Sequence, residues 1–187
     1  MEVGCVLMAS GFGARFGSNK LLAEAGGVPL IRRALDLYRQ TAFARRAVVS
    51  QYPEILSLGE SLGFLPIYNP SADQGISASV RLGTAALSDM DALLFGVCDQ
   101  PWLTAESIAR LLETFRAHPE DICSLARQGR RGNPAVFPAA FFPELLALSG
   151  DTGGGQVMKR HPGRVHLVEA LDPRELADID RPEDLLR

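Results

Sequence analysis

Strand-like and helix-like segments alternate along most of this 187-residue chain, and that order limits the folds it can adopt. Short apolar runs are typical of buried strands, and apolar residues recurring every three or four positions are typical of helices. The predicted strands lie at 3–8, 46–50, 65–68 and 91–98, and the predicted helices at 30–38, 54–62, 76–87 and from Thr104 onward. This alternation favours an α/β fold with a mostly parallel, doubly wound sheet and helices on both faces. No internal repeat or linker marks a second unit, so we expect one domain over 1–187.

Composition excludes several classes of protein. With 47% hydrophobic and 22% charged residues, the chain can bury a full core. No apolar run approaches the roughly 18 residues of a membrane span, and no basic segment precedes the first run, so we expect a cytoplasmic protein without a membrane partner. A net charge of -3 disfavours nucleic acid as a partner. Cys5, Cys98 and Cys123 lie in or beside apolar runs and predict buried thiols rather than a disulfide or metal cluster.

A glycine-rich stretch, LMASGFGARFGSNKLL at 7–22, directly follows the first predicted strand. Its glycines let the backbone turn sharply and bring N–H groups close to an anion. Arg15 and Lys20 add positive charge. The stretch therefore predicts a phosphate-binding loop at the edge of the sheet where ligands bind in such folds. The alternative is a plain strand-to-helix turn.

The spacing of this stretch argues against two common glycine-rich motifs. A Walker loop needs Ser or Thr after its lysine, and Lys20 is followed by Leu21. A dinucleotide fingerprint needs a third small residue, and Phe16 stands there. The sequence therefore disfavours a P-loop kinase and a hydride-transferring enzyme.

Carboxylates form two further candidate groups. Asp99 follows the apolar run 91–98 and should face the glycine loop, where it could hold Mg²⁺ or simply cap a turn. In a short strand, Asp178 and Asp180 would share one face, with Ile179 on the other. Asp180 could instead cap a turn that starts at Pro182.

The remaining polar residues offer weaker signals. The sequence contains no Cys/His or Ser/His arrangement, and the three histidines lie in charged or proline-flanked surroundings that predict surface positions. Arg127, Arg130 and Arg131 predict a basic loop that either attracts a phosphate-bearing acceptor or is simply solvated. The glycines at 153–155 suit either a mobile lid or a turn that leads into a helix.

Six motifs, in this order and spacing, resemble the nucleotidyltransferase family that makes molybdenum cofactor dinucleotides, its cytidylyltransferases above all. The motifs are LMASGFGARFGSNKLL with GVPL at 27–30, NPSADQGISASVRLG at 69–83, VCDQPWLT at 97–104, RRGNPAVFP at 130–138, SGDTGGGQVM at 149–158 and DIDRPEDLL at 178–186. The resemblance covers nearly the whole chain. It implies a Rossmann-like fold of three α/β/α layers, as in nucleotide-diphospho-sugar transferases, that binds a nucleoside triphosphate on the glycine loop.

The resemblance also implies roles for individual residues. Arg15 and Lys20 match the phosphate-contacting pair, Asp99 the Mg²⁺ ligand and Asp180 a second ligand, with Asp178 as the alternative. Asn133 and Asp151 match the acceptor side. The other nucleotide-binding positions are Ala9, Ser10, Gly11, Gly13, Asn69, Gly75, Ser77 and Ser79.

The reaction implied by the resemblance is transfer of CMP from CTP to the phosphate of molybdopterin or molybdenum cofactor, with release of pyrophosphate. A phosphate monoester has a second pKa of about 6, so it is already ionised at pH 7 and needs no general base. Two alternatives stay open. One is a different substrate, GTP as donor or a sugar or alcohol phosphate as acceptor, and the other is a non-catalytic carrier that serves a molybdenum hydroxylase.

Overall fold

A seven-stranded sheet forms the centre of the protein in the computed structural model, which describes residues 1–13, 16 and 19–186. The strands are β1 (Val3–Met8), β2 (Glu24–Ala25), β3 (Val28–Pro29), β4 (Arg45–Ser50), β5 (Leu65–Tyr68), β6 (Ala92–Val97), β7 (Ile122–Arg127), β8 (Arg130–Pro138) and β9 (Val165–Glu169). The helices are α1 (Leu30–Gln40), α2 (Pro53–Ser61), α3 (Ile76–Ala86), α4 (Ala105–Ala117), α5 (Phe142–Leu146) and α6 (Gly154–Arg160). The sheet order is β5-β4-β1-β6-β8-β7-β9, and β2 and β3 form a separate ribbon.

All the strands of the large sheet run parallel except β8, which is antiparallel to both of its neighbours. This confirms the predicted mostly parallel α/β sheet. The reversal follows from a two-residue turn, Gln128-Gly129, whose residues both have positive φ, 52° and 71°. Such turns match the twist of a hairpin. Arg127 and Arg130 pair across the hairpin, so the arginine cluster lies on strands, and its prediction as a loop was wrong.

Helices cover both faces of the sheet, as the alternation predicts. One buried apolar cluster joins β1 to α1, α2 and α4 through residues such as Leu35, Ile55 and Ile108. A second joins the other face to α3, α5 and α6 through Val80 and Val157, among others. Fully burying one such side chain contributes about 1.5–3 kcal/mol, so the two clusters dominate the stability of the fold.

The cysteines and the lengths of the helices both bear on the class of protein. Cys5, Cys98 and Cys123 are buried free thiols, as predicted. Burial raises the pKa of the Cys123 thiol to about 12, so it stays protonated and unreactive at neutral pH. Within 1–13, 16 and 19–186, every helix is too short or too polar to cross a membrane.

Register explains where a ligand site can form. β1 and β6 are neighbours, and Met8 is level with Val97 at their carboxyl ends. The glycine-rich stretch therefore leaves the sheet directly beside the segment that carries Asp99. β8 enters from this same edge, because it runs in the opposite direction.

Candidate active site

Lys20 lies at the centre of a cluster of oxygen atoms. It begins a short 3₁₀ turn, Lys20–Leu22, capped by Asn19, whose Oδ1 accepts from Leu21 N at 3.1 Å. Lys20 Nζ donates to Asp99 Oδ2 at 2.6 Å and to the Ile179 carbonyl at 3.1 Å, and lies 3.5 Å from Asp180 Oδ1. Burial lowers the pKa of this amine, but Asp99 and Asp180 outweigh burial and the net pKa is raised. Lys20 is therefore a fixed positive charge.

The two carboxylate oxygens of Asp99 have different surroundings. Its side chain is only 18% exposed, and Lys20 neutralises Oδ2. Asp99 Oδ1 is buried and makes no hydrogen bond to any residue that the structure describes. A buried carboxylate oxygen without a donor is costly, so this atom is suited to an incoming cation or donor.

The segment at 177–180 forms no strand, yet its side chains alternate as expected. Ile179 is fully buried and its N–H donates to the Asp99 carbonyl at 2.9 Å, which leaves Asp178 and Asp180 exposed. Asp178 Oδ1 accepts from Gln100 Nε2 at 2.9 Å. Although Asp178 reaches solvent, the surrounding protein removes part of the water around its carboxylate; this desolvation, followed by the nearby charge of Asp99, raises the pKa of Asp178. Two carboxylates thus contact the Lys20 amine, and the charge of a third, Asp178, acts on it from nearby.

A side chain of the last 3₁₀ turn accepts hydrogen bonds from the backbone just before Pro182. Asp184 Oδ2 accepts from the N–H groups of Asp180 and Arg181, at 3.1 and 3.0 Å. The Asp180 carboxylate reaches toward Lys20, as described above. The bonds that hold the backbone before Pro182 therefore come from Asp184, while the Asp180 carboxylate approaches Lys20 from the same turn.

Three consecutive side chains, from the last residue of β4 onward, hold three consecutive carbonyl groups of the glycine-rich stretch. Sequence reasoning missed this contact, because nothing in the sequence indicates which side chains meet the loop. The bonds run from Ser50 Oγ to Ala9 O at 2.8 Å, from Gln51 Nε2 to Ser10 O at 2.7 Å and from Tyr52 Oη to Gly11 O at 3.1 Å.

These bonds fix the direction of the peptide groups. In a trans peptide the N–H points opposite to the C=O of the same unit. With the carbonyls of 9–11 held toward β4, the N–H groups of residues 10–12 point the other way. Successive N–H groups on one side of a loop form an anion-binding edge.

Asn69 joins the loop to α3 inside the protein. Its Nδ2 donates to Ser10 Oγ and Ser79 Oγ, both at 3.1 Å, and the two hydroxyls lie 3.2 Å apart. Asn69 is 1% exposed and Ser79 3%. Asn69 therefore supports the loop from inside and does not line the cavity described below.

Gly75 brings the loop at 150–151 against the start of α3. Its φ is +90°, and a Cβ there would lie 2.7 Å from the Asp151 Cα. Asp151 Oδ1 lies 3.5 Å from the Ile76 N–H in the first turn of the helix. Ser77 is fully buried and accepts from Arg81, which also donates to the Leu148 carbonyl at 2.7 Å. The carboxylate of Asp151 is thus held at the amino end of α3.

These groups surround a cavity of about 320 Å³ at the carboxyl ends of β1 and β6. Seven of the predicted site residues line it: Ser10, Gly11, Lys20, Gly75, Ser79, Asp99 and Asp151. Ala9, Gly13, Asn69 and Ser77 do not, and Arg15 lies outside the described residues. The lining that sequence reasoning missed is mostly apolar: Met8, Phe12, Leu21, Ala72, Ile76, Val97 and Cys98.

A second cavity of about 200 Å³ adjoins the first and shares Met8 and Ile76 with it. Asn133 and Arg131 line it, at the beginning of β8. The glycines at 153–155 form another wall, and two of them belong to the first turn of α6. A Cβ on Gly154 would meet the Phe137 ring at 2.5 Å, so this glycine allows close packing of α6 on β8.

The sequence family described as MobA-like NTP transferase domain matches residues 5–165. This range is most of the chain and includes the residues that line both cavities. The chain belongs to this family. A MobA-like transferase is a nucleotidyltransferase, which agrees with an anion-binding loop beside a lysine and carboxylates.

Curated relatives of this MobA-like transferase span nearly its whole length. It is 28% identical to the molybdenum cofactor guanylyltransferase of Rhodobacter capsulatus, over 100% of this chain and 95% of that protein. It is 27% identical to the nicotine blue oxidoreductase of Paenarthrobacter nicotinovorans, over 97% of this chain and 94% of that protein. Proteins with different names therefore share this sequence pattern.

A solved structure agrees with the fold of this MobA-like transferase. A nucleotidyl transferase from Methanothermobacter thermautotroptrophicus superposes with a TM-score of 0.84, covering 99% of this chain and 94% of that chain. At 24% identity the likeness shows the fold alone. It confirms the predicted Rossmann-like α/β architecture.

Proposed function

We propose that this nucleotidyltransferase moves CMP from CTP to the phosphate of molybdopterin or molybdenum cofactor, with Mg²⁺ and release of pyrophosphate. The observation that carries the proposal is the pairing of Lys20 with Asp99 at 2.6 Å inside the larger cavity, beside the N–H edge of the glycine-rich loop. The proposal treats 1–187 as one domain that holds both substrates.

The loop and Lys20 would bind the triphosphate. The N–H groups of residues 10–12 supply the donors. Their direction is fixed because the side chains at 50–52 hold the carbonyls of the same peptide groups. Lys20 adds a full positive charge, and Arg15 is proposed as the second. Attack on the α-phosphorus builds negative charge on its oxygens, which such preorganised donors stabilise.

The carboxylates fit a hard divalent cation. Asp99 Oδ1 is buried without a partner in the described part of the chain, and Asp180 Oδ1 lies 3.5 Å from the same Lys20 Nζ that Asp99 contacts. We assign Asp99 and Asp180 as the residues that would hold Mg²⁺, with Asp178 alongside. Bound there, Mg²⁺ would neutralise phosphate charge and align the leaving pyrophosphate.

Lys20 also contacts both of the carboxylates that we assign to the cation. Its ammonium now lies between the two proposed cation ligands, where it offsets their repulsion. A cation and an ammonium cannot share that position, so Lys20 would turn from Asp180 toward the phosphates. A lysine is suited to this movement because its charge sits on a flexible four-carbon stem.

The smaller cavity supplies a place for the acceptor. It adjoins the larger one at Met8 and Ile76, and Asn133 and Arg131 line it. Arg131 would attract a phosphate. Asp151, which the resemblance places on the acceptor side, lines the larger cavity and not the smaller one. An acceptor phosphate there would face the α-phosphorus, which is the positioning that this chemistry mainly requires.

GTP is the second candidate donor. The relative from Rhodobacter capsulatus, 28% identical over the whole chain, is named a guanylyltransferase. The loop, Lys20 and Asp99 would serve either nucleotide, because they face phosphates rather than the base.

Pyrophosphate release tests the proposal. CTP, GTP, ATP and UTP are each incubated with Mg²⁺, with and without purified molybdopterin, using the wild type, Asp99→Asn and the control Asp89→Asn, whose side chain is exposed before β6 at the other edge of the sheet. Release that needs CTP and molybdopterin, is lost in Asp99→Asn and survives in Asp89→Asn supports the proposal. Release that needs GTP and molybdopterin, with none from CTP, supports GTP as the donor. Absence of release with every triphosphate contradicts transfer to molybdopterin from either donor. Release with a sugar or alcohol phosphate would then indicate another acceptor, and its absence a non-catalytic carrier of a molybdenum hydroxylase.

A further inference from the structure

A group of metal-binding side chains lies at the opposite edge of the sheet from both cavities. His118 follows the last residue of α4, Asp121 precedes β7, and His166 is the second residue of β9. β7 and β9 are parallel neighbours, so their amino ends bring Asp121 and His166 together. A six-residue strand spans roughly 20 Å, which separates this group from the proposed phosphate site.

The three side chains already contact one another. His166 Nε2 lies 2.9 Å from Asp121 Oδ2. The His118 and His166 rings stack with their centroids 4.0 Å apart and their planes 13° apart. One potential ligand atom from each residue can be chosen so that all three lie within 4.8 Å of one another.

We propose that His118, Asp121 and His166 bind one divalent transition-metal cation of the Zn²⁺, Ni²⁺ and Co²⁺ class. Two imidazoles and one carboxylate are a donor set suited to these ions. Mg²⁺ prefers oxygen ligands, so the group should discriminate against the ion proposed for the nucleotide site.

The geometry needs only a small rearrangement. Donors at the usual 2.0–2.2 Å from Zn²⁺ stand about 3.3–3.6 Å apart in a tetrahedron, so a spacing at the 4.8 Å limit must close by about 1.2–1.5 Å. The imidazole lone pairs lie in the ring planes, so the stack must open. His118 is exposed and can turn, while Asp121 and His166 are partly buried and hold their places.

Arg164 orients the carboxylate from outside the group. Its Nε donates to Asp121 Oδ1 at 3.0 Å, and its Nη2 also reaches the Glu120 carbonyl. This leaves Oδ2 directed at the imidazoles. Hydrogen bonds of this kind commonly orient metal ligands. Three protein ligands would leave the fourth position to water.

Binding would join three elements. The cation would connect the end of α4, the start of β7 and the edge strand β9. Because the unfolded chain does not bring the three ligands together, a cation that binds there stabilises the folded state. The effect should be visible as a higher unfolding temperature without any change in the nucleotide site.

Cobalt absorbance tests the site on the untagged full chain. Co²⁺ is titrated with Mg²⁺ in large excess, using the wild type, His118→Ala, His166→Ala and His161→Ala. His161 is the one histidine of the sequence that does not belong to the group. It pairs with Glu144 at 2.6 Å, so His161→Ala is the matched control. We expect one saturable equivalent in the wild type and the control, and affinity at least about tenfold lower in the other two variants. No cobalt spectrum in the wild type, or equal loss in the control, overturns the proposal.

Thermal unfolding with Zn²⁺ gives a second readout. The wild type and His161→Ala should gain stability, and His118→Ala should not. Because His118 is exposed at a helix end, its replacement should leave the melting temperature without metal nearly unchanged. An equal gain in His118→Ala, or no gain in the wild type, contradicts the site. Neither result bears on nucleotidyl transfer, which occurs at the other edge.

Discussion

Tyr52 reaches across from the end of β4 and donates its phenolic hydrogen to the Gly11 carbonyl at 3.1 Å. This hydrogen bond is the outermost of the three that turn the loop's carbonyls away from the larger cavity. The orientation of the loop is therefore imposed by a neighbouring segment as well as by its own glycines.

Removing the Tyr52 hydroxyl should weaken triphosphate binding. One such hydrogen bond contributes about 0.5–1.5 kcal/mol, so Tyr52→Phe should raise the KM for the nucleotide about 2- to 10-fold with a smaller change in kcat. Steady-state kinetics check this, with Tyr68→Phe as the control, because Tyr68 is 59% exposed on β5. An unchanged KM would mean that the glycines alone set the loop.

Replacing Asn69 should destabilise the fold. Asn69→Ala leaves the buried hydroxyls of Ser10 and Ser79 without their amide donor, which costs about 1–3 kcal/mol. Urea denaturation measures the loss. Gln40→Ala, at the exposed end of α1, should change stability by less than about 0.5 kcal/mol. Equal effects of the two changes would argue against the buried network.

A side chain at Gly75 should displace the Asp151 loop. A Cβ there meets backbone atoms of 150–151 at 2.7–2.8 Å, in addition to the strain of a positive φ. Gly63 also has a positive φ, +82°, but no described atom lies within 4 Å of its Cβ position. Gly63→Ala should therefore show the strain alone, about 1 kcal/mol, and Gly75→Ala a larger loss together with reduced turnover. Equal losses in urea denaturation would exclude the clash.

Lys20 should be needed for turnover and remain charged throughout the working pH range. Lys20→Met should lower kcat/KM about a hundredfold or more, because a main electrostatic group is lost. Lys159, the only other lysine in the sequence, lies exposed in α6, and Lys159→Met is the matched control.

The pH profile gives a further check on Lys20. Its pKa is raised above the usual value of 10.5, so the protonated form persists below that pH and is lost only above it. The rate should therefore show no loss from this lysine between pH 7 and about 10. A lysine-dependent fall near pH 8 would contradict the pairing with Asp99.

Local pattern was enough to predict much of the fold. Val3–Met8 is an uninterrupted apolar run, and Thr104 begins α4 with its side chain accepting from Ser107 N, as expected for an N-cap. The approach of the glycine stretch to Asp99 was also predictable, because the carboxyl ends of adjacent parallel strands meet.

Contacts between distant segments could not be predicted in the same way. The reversal of β8 depends on Gln128 adopting a positive φ, which its residue type does not favour. Asn69 and Ser77 lie in a motif that the resemblance assigns to the nucleotide, but both are buried and bond to protein groups. A motif identifies which segments meet, whereas burial decides which of its side chains remain accessible.

The reversed β8 has a consequence for how such an enzyme can change. The hairpin tip at Gln128-Gly129 lies at the ligand edge but belongs to neither β1 nor β6. Residues inserted at that tip would lengthen one wall of the smaller cavity without shifting the glycine loop or Asp99. The smaller cavity can therefore change its shape to fit a different acceptor while the glycine loop and Asp99 stay the same.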